Sequence, residues 1–208
     1  MKKQIVIIDY GMGNIRSVFN AFSYLGCTPN VSSSIKDIAS ADALILPGVG
    51  SFRVAMEHLT QNDMADAIKD AVQVHQKQIL GICLGFQLLS ESSTEDGTTD
   101  GLNIMGGHIT KFDVIKFSGF KVPHVGFNTV KANHESVLYR GLGDENEFYF
   151  VHSFCMKNHS LDQSNLAYCN YGESFVASYE CNNVFATQFH PEKSQANGLK
   201  LLLNFIEF

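Results

Sequence analysis

The chain reads as an α/β protein: a mostly parallel central sheet flanked by helices, with an antiparallel or mixed β layer added in the second half. Three observations predict this. Gln4–Asp9, Ala43–Leu46 and Gln78–Cys83 are short apolar runs, the first rich in β-branched residues, which is how strands buried on both faces read. Between them lie stretches with apolar residues three and four apart, and strand–helix alternation argues for parallel pairing covered by helices. From Ile109 onward the pattern turns to short runs separated by Gly, Asn and Asp, as in hairpins. At 208 residues, against roughly 150 per domain, one domain over 1–208 is expected. A chain this long can bury about 70 % of its unfolded surface and needs neither disulfide nor metal to fold.

Taken in order, Gln4–Asp9 (QIVIID) is bounded by Gly11 and Gly13, and Ile15, Val18, Phe22 and Leu25 mark an amphipathic helix over Asn14–Leu25, closed by Gly26. Ala43–Leu46 stops at Pro47-Gly48. Helices are expected over Val54–Leu59 and from Asp63 to Val74, then a strand at Gln78–Cys83 leading into a helix at Leu84–Ser90. Glu91–Asp100 (ESSTEDGTTD) reads as a polar surface loop. Strand-like runs follow at Ile109–Phe117, Val125–Val130, Glu147–Phe154, Asn165–Asn170, Phe175–Glu180 and Asn183–Phe189, and Ala196–Phe205 is the closing helix.

Composition narrows the function. Fifteen basic against 21 acidic residues give a net charge of −6 with no basic stripe, which argues against a nucleic-acid partner. There is no apolar run of membrane-spanning length, so no membrane partner is expected. MKKQIVIIDYGMG superficially resembles a signal peptide, but Asp9 interrupts its apolar run too early for that. Five cysteines, irregularly spaced and without a CxxC pair, suggest neither a disulfide framework nor a zinc site; a reducing, cytoplasmic setting with no metal and no cofactor is the expectation. Only 17 % of residues are charged, which is low for a soluble chain and hints that a partner covers part of the surface.

Three segments carry chemistry. Gly81-Ile82-Cys83-Leu84-Gly85 ends a buried strand and opens a helix, the G-x-[SC]-x-G pattern of a nucleophile elbow. The helix start favours a thiolate at Cys83 and leaves the Leu84 N–H free to receive an oxyanion. A plain role is open as well, with Cys83 as a small buried side chain between strand and helix. Gln188-Phe189-His190-Pro191-Glu192-Lys193 follows another apolar run, so His190 stands at a strand's carboxyl end, where open α/β sheets bind ligands, and Glu192 can orient its imidazole. Pro47-Gly48-Val49-Gly50-Ser51-Phe52 would bring backbone donors to the same rim, or be no more than a tight turn.

In order and spacing, PGVGSF, GICLGFQLL, KVPHVGFN, YFVHSF and ATQFHPEKS, together with the opening DYGMGNIRSV, resemble the class I (triad-type) glutamine amidotransferases, and within them the glutaminase subunits of imidazole glycerol phosphate synthases. The likeness covers essentially the whole chain. It implies a class I glutamine amidotransferase-like fold with Cys83 as nucleophile on the side-chain amide of L-glutamine, His190 as proton carrier and Glu192 as its orienter. It implies an oxyanion site at the N–H of Leu84 and of Gly50 or Val49, with Gln87 and Glu95 holding the glutamine. It also implies a heterodimer with a (β/α)8-barrel synthase (cyclase) subunit that takes the ammonia, with Tyr10, Asn14, Phe127, Tyr149 and Lys193 facing that partner.

The sequence departs from the family pattern outside the triad. Phe127 stands where Trp is usual and Phe154 where Tyr is usual. Cys155-Met156 occupies a place where a basic residue is common, and Phe86 replaces Met. These changes keep aromatic faces but remove an indole N–H and a hydroxyl, so they bear on the partner rather than the chemistry. The alternatives are a paralogous glutaminase subunit feeding a different amidotransferase, such as one in surface-sugar synthesis, a non-catalytic binding module, and an unrelated cysteine hydrolase.

Overall fold

A computed structural model describes residues 3–113, 120–132, 135–157 and 165–208. The first half holds β1 (Ile5–Ile8), α1 (Ile15–Tyr24), β2 (Asn30–Ser32), α2 (Ile35–Ser40), β3 (Ala43–Gly48), α3 (Phe52–Gln61), α4 (Met64–Lys69), β4 (Gln78–Cys83) and α5 (Leu84–Leu88). The second half holds β5 (Ser92–Ser93), β6 (Thr99–Asp100), β7 (His108–Lys111), β8 (His124–Lys131), β9 (Glu145–His152), β10 (Phe154–Met156), β11 (Asn165–Tyr171), β12 (Glu173–Cys181), β13 (Val184–Thr187) and α6 (Gln195–Glu207).

Nine strands form one sheet in the order β2-β1-β3-β4-β13-β12-β11-β8-β9. The first five pair in parallel and the rest antiparallel. The second-half strands therefore extend the parallel sheet, and a separate four-stranded sheet, β10-β7-β5-β6, packs beside it.

Alternation along β1 assigns the two faces. Val6 and Ile8 join the core beneath α3 and α4, with Phe52, Leu59 and Ile68, whereas Ile5 and Ile7 join the core beneath α1 and α6, with Val18, Phe22, Leu202 and Phe205. Each fully buried Phe or Ile contributes about 1.5–3 kcal/mol by leaving water, so both faces of the central strands anchor the rim that carries the chemistry.

Several elements differ from the sequence reading. The strand β2 and helix α2 were not expected; β2 is three residues long and mostly exposed, and only Ile38 of α2 is buried, so neither leaves a periodic apolar signal. Asp63–Val74 starts as α4 and finishes as one π-helical turn over Asp70–Val74. Glu91–Asp100 is not a free surface loop: β5 and β6 pair within it and Ser93 is buried. The run Glu147–Phe154 is split at Ser153, where the chain leaves the large sheet for the small one. Of Ile109–Phe117, the strand ends at Lys111, and 114–117 lie outside the described residues.

Candidate active site

Strand order brings the three chemical segments together. β4 lies between β3 and β13, with Gly48 opposite Cys83 on one side and Thr187 opposite Ile82 on the other. The PGVG segment and the His190 segment thus leave the sheet on either side of the nucleophile.

Cys83 sits between strand and helix with φ 55° and ψ −104°, a backbone state that costs an L-residue about 1–3 kcal/mol. The flanking glycines make room for this turn. A Cβ on Gly85 would run into the carbonyl oxygen of Leu46, and one on Gly81 would lie 2.8 Å from the Gly85 oxygen. α5 is therefore pressed against β3 and β4, and Leu84 begins it with an N–H that has no acceptor within the helix. The Cys83 sulfur lies 3.8 Å from the Val151 oxygen and 3.9 Å from Nε2 of Gln188.

His190 is pinned through its backbone. Its N–H donates to the Tyr149 oxygen at 2.9 Å, and its own oxygen accepts from Ser194 Oγ at 2.6 Å. The 3-10 turn Pro191–Lys193 carries Glu192 back to the ring, where Oε1 accepts from Nδ1 at 2.8 Å. Both side chains are almost wholly shielded, at 2 % and 1 % exposure. Nδ1 is thereby the protonated nitrogen, and Nε2, buried without a hydrogen-bond partner of standard geometry among the described residues, is the atom left for chemistry. Burial, the largest single influence on His190, pulls its pKa down. Hydrogen bonding and charge at Cys83 and Glu192 together outweigh it and push the imidazole up to about 10. The ring thus lies between a sulfur and a carboxylate, both of which favour its protonated form.

Cys83 and Leu84 open into a cleft of about 290 Å³ shared with Val49, Gly50, Gln87, Glu95, Pro123 and residues 151–154. That is the small end of ligand sites and suits a single amino acid. A larger hollow of about 370 Å³ between Ala132 and Asp144 brings no thiol or imidazole to its lining among the described residues.

The remaining expected residues fall as follows. Val49 and Gly50 line the cleft from the β3 side, Gly50 with φ 112°. Gln87 is buried, and its Nε2 donates to the Phe154 oxygen and to Gln188 Oε1, each at 3.0 Å. Glu95 accepts the Phe52 N–H at 2.8 Å and so caps α3; burial pushes its carboxyl above the usual range, partly offset by that hydrogen bond. Phe127 is 47 % exposed on the outer face of β8, 5.6 Å ring to ring from Tyr149, with Lys193 Nζ 5.7 Å from the centre of the Tyr149 ring. Asn14 is half-buried before α1. Tyr10 is the exception: it is 3 % exposed and its hydroxyl donates to the Pro47 oxygen at 2.9 Å, so it braces the PGVG segment from within and does not face outward.

Sequence reasoning missed Gln188, which touches both the nucleophile and Gln87, and the wall formed by 151–154. Gln188 follows directly from the parallel register of β4 and β13, information that no local pattern carries.

The chain's likeness to known proteins agrees with this geometry. The family model for glutamine amidotransferase class-I matches residues 6–207. The chain is 45 % identical over 202 residues to "Imidazole glycerol phosphate synthase subunit HisH 1" of Campylobacter jejuni (strain RM1221), covering 97 % of this chain and 98 % of that one. It is 45 % identical over 210 residues to "Imidazole glycerol phosphate synthase subunit HisH" of Methanosarcina barkeri, with 99 % and 98 % covered. Among solved structures, PurLQS from Thermotoga maritima superposes with a TM-score of 0.71 at 18 % identity, over 100 % of this chain and 99 % of that one. At such an identity the likeness speaks for the fold alone. The cysteine elbow, the buried His190–Glu192 pair and the near-complete match together show that the chain belongs to the class-I glutamine amidotransferase family.

Proposed function

We propose that the chain is the glutaminase subunit of an imidazole glycerol phosphate synthase, which hydrolyses L-glutamine on Cys83 and passes the ammonia to a (β/α)8-barrel synthase subunit. One observation carries the chemistry: a strained cysteine and a helix-start N–H open into a cleft of amino-acid size, and the buried imidazole braced by Glu192 lies against that cysteine. The full-length likeness to proteins named as subunits of that synthase carries the pathway.

Cys83, as thiolate, attacks the side-chain amide carbon of glutamine, and the oxyanion is received by the N–H of Leu84 and of Gly50 or Val49. His190 gives its Nε2 proton to the amide nitrogen, the C–N bond breaks and ammonia leaves, with a γ-glutamyl thioester on Cys83. Neutral His190 then takes a proton from water as its oxygen attacks the thioester. The C–S bond breaks, glutamate leaves, and the thiolate–imidazolium pair is restored. Glu192 fixes the tautomer throughout, while Gln87 and Glu95 hold the amide and the amino end of the substrate.

The partner would dock over the exposed Val125 and Phe127 of β8, next to Tyr149 and Lys193, and reach Asn14 before α1. An aromatic strip beside a catalytic imidazole is the surface composition expected of an interface. In the synthase the ammonia joins a phosphoribosyl carboxamide ribotide, giving imidazole glycerol phosphate and aminoimidazole carboxamide ribotide in histidine biosynthesis. The test is glutamate release measured with and without added synthase partner carrying its ribotide. Release that rises sharply with the occupied synthase is expected; release indifferent to it, or no release under any condition, would contradict the assignment.

A further inference from the structure

A buried histidine pair, His152 on the cleft wall and His124 beside it on β8, has no part in the chemistry above. His124 on β8 and His152 on β9 face each other in register, with His124 Nδ1 3.1 Å from His152 Nε2. Their tautomers follow from their other partners. His152 Nδ1 lies 2.8 Å from the Phe154 oxygen, which can only accept, so Nδ1 carries the proton and Nε2 is a lone pair. His124 Nδ1 must then donate to it. His124 Nε2, now an acceptor, is approached at 3.5 Å by Asn128 Nδ2, and the Asn128 amide is oriented by its Oδ1 accepting the Thr129 N–H at 2.8 Å. His124 is also stacked between Tyr171 and Phe150, at 3.9 and 4.8 Å between centroids.

The chain of hydrogen bonds ends at the wall of the cleft. The Phe154 oxygen takes two donors, His152 Nδ1 and Gln87 Nε2, and residues 151–154 form the cleft wall opposite Cys83. Phe154 opens β10 directly after Ser153, where the backbone leaves one sheet for the other, and the two side-chain donors add to its pairing with Lys111 of β7.

We infer that His124 and His152 are positioning residues of the glutamine site: a pair locked with both protons on Nδ1, which clamps the Phe154 carbonyl and so sets the wall against which the substrate is held. The inference rests on the glutamine reading of this cleft. His152 acts on the wall and His124 acts through His152.

Four variants and one spectrum test it in the assembled synthase. His124→Phe keeps the stacked ring and removes the N–H; with one buried hydrogen bond lost, KM for glutamine should rise about five- to tenfold while kcat changes by less than about twofold. His124→Asn places an N–H where Nδ1 was and should return KM to within about twofold of the wild type, although it removes the stacked ring. His152→Asn, which retains a donor to the Phe154 oxygen, should likewise bind glutamine better than His152→Leu. In 15N-histidine spectra of the wild-type chain, both imidazoles should be protonated at Nδ1. An Nε2-protonated His152, or KM values that follow thermal stability across the variants with no rescue by asparagine, would overturn the pair's role. A wild-type synthase that fails to hydrolyse glutamine would instead remove the functional reading on which it rests.

Discussion

Replacing Gly85 with alanine tests the elbow without touching a reactive group. An added Cβ would overlap the Leu46 carbonyl oxygen and lie 2.8 Å from the Leu46 carbonyl carbon. Both contacts are with β3 backbone, and β3 is buried along its whole length, so the strand cannot yield. α5 must instead retreat by roughly an ångström or more before ordinary carbon contact distances near 3.5–4.0 Å are reached. The stability cost is that of overpacking a core, about 1–3 kcal/mol. The activity cost is larger, because Leu84 and Cys83 move with the helix, and a misplacement of about 1 Å in a reacting group costs about a hundredfold. Glutamate release by the assembled synthase should therefore fall about a hundredfold, while Cys83, His190 and Glu192 are all present. Gly143→Ala is the control, since no described residue lies within 4 Å of a Cβ there; its melting temperature and rate should match the wild type. A Gly85→Ala enzyme with native stability and native turnover would refute the reasoning that the glycine exists to seat the helix.

Three further outcomes are expected. Glu192→Gln keeps an acceptor for Nδ1 but removes its charge, replacing a charge-assisted hydrogen bond with a neutral one; a loss of about 1–1.5 kcal/mol should lower kcat/KM about tenfold and bring the His190 titration down from about 10, and unchanged kinetics would dismiss the carboxylate's role. Tyr10→Phe leaves the Pro47 oxygen without its donor and should cost about 1–3 kcal/mol in urea unfolding together with a slower turnover, because Pro47 precedes the Val49–Gly50 donors. Acid should weaken the fold through His124 and His152, which burial pulls down to about 4 and about 3. The unfolded chain takes up their protons near 6.5 and the folded one does not, so stability falls as pH drops from about 6.5 toward 4, by about 1.4 kcal/mol per pH unit for each histidine. His190 is raised, so it is protonated in both states across that window and adds nothing there; its contribution is full below about 6.5 and is lost as pH rises toward 10. Urea unfolding at pH 5 and pH 7 should show His124→Phe with about half the wild-type acid slope, and an unaltered slope would count against it.

The parallel half of the fold was legible because its strands are buried on both faces: IVII, ALILPG and QILGIC need no partner to be read. What escaped the sequence depended on pairing. β2 is an exposed edge, and the β5–β6 pair is held by polar residues whose spacing says nothing about burial. The chemical segments were visible because each combines glycine or proline with a reactive side chain at a strand end. Tyr10 was expected at the partner surface only through the family resemblance; the Pro47 carbonyl across the turn draws its hydroxyl inward, a contact no local pattern carries. The His124–His152 pair lies 28 residues apart in sequence and meets through β8–β9 register, which no local motif encodes.

The central claim, that Cys83 carries the glutamyl group, is tested most directly by acid-quenching the working synthase with glutamine and mapping the adduct by mass spectrometry. One γ-glutamyl group on the peptide containing Cys83, absent from Cys83→Ala together with glutamate release, is the predicted result. A Cys83→Ala synthase that releases glutamate at the wild-type rate would contradict it.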